Sequence, residues 1–167
     1  MTALRLLRRG AALALLSGLL GCALNAGRIA PGLSAAEVRS LAGTPTEQRT
    51  LPGGVKAWYY EMGPEGWTTY RVRLDANERV LDSEQVLTEK NFRTQLVADS
   101  TTREQILEAF GRPALVTRFP NLTEEVWTYR YLDGTREMLN DIHIAAATGV
   151  VRTYNLYPDP AYTVYLA

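Results

Sequence analysis

One stretch of this chain occurs twice. GLSAAEVRSLAGTP, residues 32 to 45, and STTREQILEAFGRP, residues 100 to 113, align at an offset of 68, so that Ser34 meets Thr102, Val38 meets Ile106, Gly43 meets Gly111 and Pro45 meets Pro113. At offset 69, Trp58-Tyr59-Tyr60 falls on Trp127-Thr128-Tyr129. At offset 70, RVRLDANERV falls on DIHIAAATGV, pairing Val72 with Ile142, Leu74 with Ile144 and Val80 with Val150. The offset grows by one at each loop, as insertions in turns would make it. Four features kept in one order read as a tandem duplication, so the chain builds one unit twice. Units of about 60 residues are marginal alone, and the two copies are expected to pack together.

Local punctuation says what each copy builds. Ser34-x-x-Glu37 is a capping box, Leu33 and Val38 are placed as a hydrophobic staple, Gly43 sits at the stop, and Pro45 forbids continuation. Thr102-x-x-Gln105 repeats the box, and Val38, Leu41 and Ala42, like Ile106, Ala109 and Phe110, make one apolar stripe. A short amphipathic helix must lie on something. VKAWYYEM and EVWTYRY alternate, with Trp58 and Tyr60 on one face of the first, and Trp127, Tyr129 and Tyr131 on one face of the second. The next strands alternate too, Tyr70, Val72 and Leu74 against Arg71 and Arg73, and Ile142 and Ile144 against Asp141 and His143. Turns at residues 75–78 and 145–149 lead into third strands near Val80 and Val150. Residues 88–97 read as another short helix, with Phe92 and Leu96 on one side. The expected fold is α+β: two tandem modules, each a helix plus a three-stranded antiparallel sheet, with the helices packed on one sheet face. Trp58 and Trp127 are the expected core anchors, beside Val38 and Ile106.

The N-terminus addresses location. Arg5, Arg8 and Arg9 precede a run from Ala11 to Leu20 that is apolar or small throughout, and no acidic residue occurs before Glu37. This is the layout of a secretory signal, and the run is shorter than the roughly 20 residues that span a bilayer. It ends on Cys22, the only cysteine, which excludes an internal disulfide. Arg8-Arg9 lacks the aromatic and leucine pair that follows a twin-arginine signal. Leu19-Leu20-Gly21-Cys22 resembles the bacterial lipobox. That resemblance implies cleavage before Cys22 and lipidation of its thiol and new amine, palmitate among the acyl groups, and two chains or more make a stable anchor. Ala23, where an aspartate would favour retention at the inner membrane, implies the outer membrane, periplasmic face. Removing residues 1 to 21 takes three of 18 basic residues and none of 18 acidic ones, leaving 15 against 18, a net of −3. No basic face suggests nucleic acid.

With these pieces in place the chain resembles the SmpA/OmlA family of small outer-membrane lipoproteins, which includes the E component of the β-barrel assembly machinery. The matching features are the lipobox, G-x-[ST]-x-x-E-V at Gly32 to Val38, the G-x-P of residues 43 to 45, W-x-Y at Trp58 to Tyr60, and the D-x-x-x-x-V turn from Asp75 to Val80. They cover most of residues 32 to 86, with a degenerate copy over 98 to 157. Used twice in tandem, the module also looks like the architecture of the secreted β-lactamase inhibitor proteins, whose helices back one sheet and whose open sheet face grips an enzyme. The E component has one module where this chain has two, and the inhibitors carry disulfides that a single cysteine excludes. The implied organisation is a signal peptide at 1–21, a lipidated tether at 22–31, a first module at 32–87, a helical linker at 88–97, a second module at 98–160 and a tail at 161–167.

Catalytic and metal-binding signatures are absent: there is no HExxH, no GxSxG, no phosphate loop and no Cys/His metal spacing. His143, the only histidine, falls on the polar side of a strand and reads as a surface residue. Glu124-Glu125, and Glu61 with Glu65, read as solvated loop charges, and the NLT at Asn121 is a glycosylation sequon that a bacterial lipoprotein would not use. No catalytic residue, metal or cofactor is expected. The reading is a non-catalytic protein-binding module in outer-membrane assembly or envelope integrity, binding lipid through Cys22 and a periplasmic or outer-membrane protein, with the barrel-assembly machinery as one candidate. The alternative is a tethered inhibitor of a periplasmic hydrolase. The sheet face opposite the helices carries the candidate contacts, Tyr59, Arg71 and Arg73 in the first copy and Arg130, Asp141 and His143 in the second.

Overall fold

The computed structural model describes residues 26–63, 65–119 and 123–163. The expected signal peptide, the lipobox with Cys22 and Ala23, and the sequon at Asn121 lie outside the described residues. Within them no helix is long and apolar enough to cross a membrane.

Each copy forms a four-stranded antiparallel meander. In the first, α1 (Ala35–Ala42) leads into β1 (Glu47–Thr50), β2 (Lys56–Met62), β3 (Thr68–Leu74) and β4 (Val80–Gln85), paired in that order. The short α2 (Glu89–Gln95) and α3 (Arg103–Phe110) follow, and then β5 (Leu115–Arg118), β6 (Glu124–Asp133), β7 (Arg136–Ala145) and β8 (Val151–Pro158) form the second sheet. A final turn, α4 (Pro160–Thr163), closes the described chain. The α+β reading with two antiparallel sheets holds. Each sheet has a fourth strand, one more than the sequence predicts, because EQRT and LVTR are four residues long and carry no alternation that a loop would not.

The duplication extends to backbone detail. Both capping boxes form, Ser34 with Glu37 and Thr102 with Gln105. Both helices end on a glycine, Gly43 at φ 77° and ψ −157° and Gly111 at φ 76° and ψ −162°, a region open to little besides glycine. Trp58 faces Val72 across β2 and β3, as Trp127 faces Ile142 across β6 and β7. Each last strand, β4 and β8, is offset by an irregularity in its partner, between Arg73 and Leu74 and between His143 and Ile144.

Two cores result, in four layers. Val38, Ala42, Trp58, Tyr60, Val72 and Leu74 join α1 to one face of the first sheet. Phe92, Ile106, Phe110, Trp127, Tyr129 and Ile142 join α2 and α3 to one face of the second. Phe92 stacks obliquely on Phe110 at 4.8 Å and meets Tyr131 edge-on at 5.2 Å, which makes α2 part of the second core. Both tryptophans are buried in the expected cores.

The helices were expected on one face of each sheet, with the other face open. The first sheet departs from this, because α3 also touches its far face. Tyr59 donates from its hydroxyl to the Glu108 carbonyl (2.7 Å), and Arg71 donates from Nη1 to the carbonyls of Glu108 (3.0 Å) and Ala109 (3.3 Å). These carbonyls lie in the last turn of α3, where the helix leaves acceptors unpaired and its dipole favours a cation. The layers therefore run α1, first sheet, α2 with α3, second sheet. The far face of the second sheet lines an open cleft, bordered by α4 through Tyr162 and by the first copy through Glu65.

Candidate functional site

The two halves of the expected contact surface have different fates. Tyr59 is 1% exposed, and burial pushes its hydroxyl up to about 12, against the opposing charge of Arg71. Arg71 is engaged with α3 and with Glu84 at 3.3 Å. Arg73 is paired with Asp82, whose hydrogen bond holds its guanidinium above its ordinary pKa. Tyr59 and Arg71 thus hold the two copies together and offer a partner little, a correction to the sequence reading. Alternation placed them away from α1; it carried no information about α3.

Arg130, Asp141 and His143 meet on the open face of the second sheet. That face forms the floor of a cleft of about 610 Å³. Cross-strand register builds it: Leu115 lies opposite Thr128, Thr117 opposite Val126, Thr128 opposite Asp141 and Leu139 opposite Tyr157. Side chains at these positions point away from the α2–α3 core because Trp127, Asn140 and Ile142, one residue along, point into it. Leu115 is 57% exposed, Phe119 47% and Tyr162 40%, so three large apolar side chains rim the cleft in contact with water.

The polar groups of the floor are fixed by one another. Asp141 accepts from the Thr128 hydroxyl at 2.6 Å through Oδ1 and from the Tyr157 hydroxyl at 2.6 Å through Oδ2. Burial, followed by the bond to Asp141, pushes the Tyr157 hydroxyl well above the ordinary tyrosine value, so it remains a donor. Arg130 binds Glu65 at 2.8 Å, Tyr162 donates to the same carboxylate at 3.0 Å, and Trp67 packs edge-on against Tyr162 with centroids 5.6 Å apart. Glu65 belongs to the β2–β3 loop, so the first copy supplies one wall. His143 contacts Glu124 through Nδ1 at 3.1 Å.

Glu61, Glu47 and Glu125 are structural. Glu61 takes a two-pronged contact from Arg112, at 2.7 and 3.2 Å, and Glu47 accepts from the Arg112 backbone N–H at 2.8 Å, both across the junction between the copies. Glu125 corrects the reading of a solvated charge: it is 5% exposed and held by Arg103 (2.6 Å), Arg118 (2.9 Å) and the Trp127 indole N–H (3.1 Å). Burial alone would raise its pKa; the two arginines outweigh that and hold it below the ordinary carboxylate value. Among the described residues no group of three or more His, Cys, Asp or Glu side chains is arranged to hold a metal. Leu115, Phe119 and Tyr162 carry no signal in the sequence, since isolated apolar residues in short segments have no periodicity.

No protein-family model matches the chain, and no curated protein matches it in sequence. The SmpA/OmlA resemblance is thus a likeness of motifs without support from a family match. Two solved structures align with it. One is YjgB of Bacillus subtilis, a DUF4309 family protein, at TM-score 0.31 and 15% identity over 75% of this chain and 78% of that one. The other is a Streptococcus mutans protein provisionally named a β-lactamase inhibitor protein, at TM-score 0.33 and 13% identity over 80% of this chain and 87% of that one. Similarity at this level leaves function to be argued from the chain's own residues.

Proposed function

We propose that this chain is a lipid-anchored, non-catalytic protein-binding module that receives a protruding loop of a folded partner on the open face of its second sheet, as a tethered inhibitor of a periplasmic hydrolase would. One observation carries the reading: the first sheet meets α1 on one face and the end of α3, at Tyr59 and Arg71, on the other, while the second presents a cleft with an exposed apolar rim and a polar floor already held in place. Rigid, pre-paired groups lose little entropy on binding, which suits capture of a preformed loop. A role in outer-membrane assembly, the main reading of the sequence, rests on the family motifs alone, and no family match supports them. Cys22 supplies the anchor at the periplasmic face of the outer membrane, and its lipidation belongs to the same proposal.

The test is photocrosslinking in intact cells with benzoylphenylalanine in place of Leu115, or of Leu41 on α1, which is also exposed. A discrete adduct at Leu115 and none at Leu41 is expected, with the adducted protein a hydrolase that purified chain inhibits. A hydrolase left fully active, or an adduct only at Leu41, rejects the inhibitor reading.

A further inference from the structure

The cleft also indicates what kind of loop it takes. Its arginine, Arg130, is already bound to Glu65. Asp141 differs, because the partners that hold it, Thr128 and Tyr157, are neutral hydroxyls. Each occupies one carboxylate oxygen, and a carboxylate accepts about four hydrogen bonds in all. The other titratable groups lining the cleft are Arg130 and Tyr162, both bound to Glu65, His143, bound to Glu124, Tyr157 itself, and a second acid, Asp159, which accepts from the Ala161 backbone N–H. Among the described residues Asp141 is thus an oriented negative charge held by neutral groups and in no ion pair, in a cleft whose lining includes Leu115, Val126 and Leu139.

We infer that Asp141 receives the lysine or arginine side chain of an apolar-flanked loop on the partner protein. The inference rests on the protein-binding reading above. The cation supplies the opposite charge that Asp141 lacks, its aliphatic stem lies along Val126 and Leu139, and the flanking apolar residues cover Leu115 and Phe119. Burial under the loop removes water from the pair, which makes a missing cation costly and the contact selective.

Disulfide-constrained nonapeptides displayed on phage and selected against the immobilised full chain provide the test. Enriched peptides should carry a lysine or arginine between apolar residues. Their affinity should fall at least about tenfold against Asp141→Asn and stay unchanged against Arg73→Gln, outside the cleft. Replacing the peptide's lysine with norleucine should cost as much against the unaltered protein, so the answer does not depend on the variant's folding. Peptides that Leu115→Glu blocks, but that lack a cation or tolerate both Asp141→Asn and norleucine, overturn this inference and leave protein binding at the cleft standing. Peptides indifferent to Leu115→Glu, or no enrichment at all, overturn both.

Discussion

The hydroxyl of Tyr59, in the second strand of the first sheet, donates a 2.7 Å hydrogen bond to the Glu108 carbonyl in the last turn of α3. The contact crosses from one copy of the repeat to the other, so the copies share a boundary with defined hydrogen bonds. Removing only the hydroxyl, in Tyr59→Phe, takes one of the two side-chain donors from the Glu108 carbonyl and leaves Arg71 as the other, and should cost about 1 kcal/mol in urea unfolding. Tyr59→Ala also opens a cavity and should cost about 3 to 5 kcal/mol. Equal losses for the two would mean that the ring contributes nothing to the junction.

Gly111 closes α3 against the same tyrosine. A Cβ there would lie 3.0 Å from Tyr59 Cδ1 and 3.2 Å from Glu47 Oε2, in addition to the backbone strain at φ 76°. Gly43 has the same conformation at the end of α1. Strain of this kind costs about 1 to 3 kcal/mol. Gly111→Ala should exceed Gly43→Ala, because it adds pressure on the junction. The comparison is a pair of urea midpoints, and a larger loss at Gly43 would contradict it.

Much of this boundary was hidden in the sequence for a physical reason. Capping boxes, terminal glycines and the Trp58 and Trp127 anchors are local or periodic signals, and the structure places each in its expected element. Alternation correctly put Tyr59 and Arg71 opposite α1. Which element then covers that face depends on contacts 37 to 49 residues away in sequence, between Tyr59 or Arg71 and Glu108, and a period of two says nothing about those. The cleft was half legible: Arg130, Asp141 and His143 followed from alternation, while Leu115 sits on a strand too short to announce itself.

Glu125 makes stability depend on pH. Its pKa is lower folded than unfolded, since Arg103 and Arg118 outweigh burial. A depressed carboxylate contributes fully above its unfolded pKa, about 4.3, and loses that contribution as pH falls through the lower folded value. Stability should hold from pH 7 to about 5 on this account and decline below it, and Glu125→Gln should flatten that decline. The arginines divide unequally: Arg118 has a side chain 73% exposed and Arg103 one 29% exposed. Arg118→Ala should cost at most about 1 kcal/mol and Arg103→Ala clearly more. Thermal melts at pH 4 and pH 7 test both statements.

Trp58 and Trp127 should behave as equivalents, because each is buried beside its copy's helix and faces the matching residue of the next strand. Truncation of either to alanine should cost about 3 to 5 kcal/mol. Since Tyr59, Arg71 and Arg112 couple the copies, one loss should be felt by both, and a single transition is expected in each variant. Two separated transitions, monitored by the two indoles that remain in each variant, Trp67 among them, would show the copies unfolding independently.

Arg71 and Arg73 are neighbours on one strand face and separate the two roles of that face. Arg71 donates to two carbonyls at the end of α3, and its side chain is only 12% exposed. Arg73 pairs with Asp82 at a site about 40% open to water, where an ion pair contributes little. Arg71→Gln should therefore cost about 1.5 to 3 kcal/mol, the range for a hydrogen bond from a charged group, and Arg73→Gln at most about 1 kcal/mol. A face kept for a partner gives the opposite result, because both exchanges would then leave the melting temperature alone and weaken capture. Melting curves together with Leu115 crosslinking distinguish the cases: loss of stability at Arg71 with the crosslink retained at Arg73→Gln is the outcome expected of a face already filled by α3.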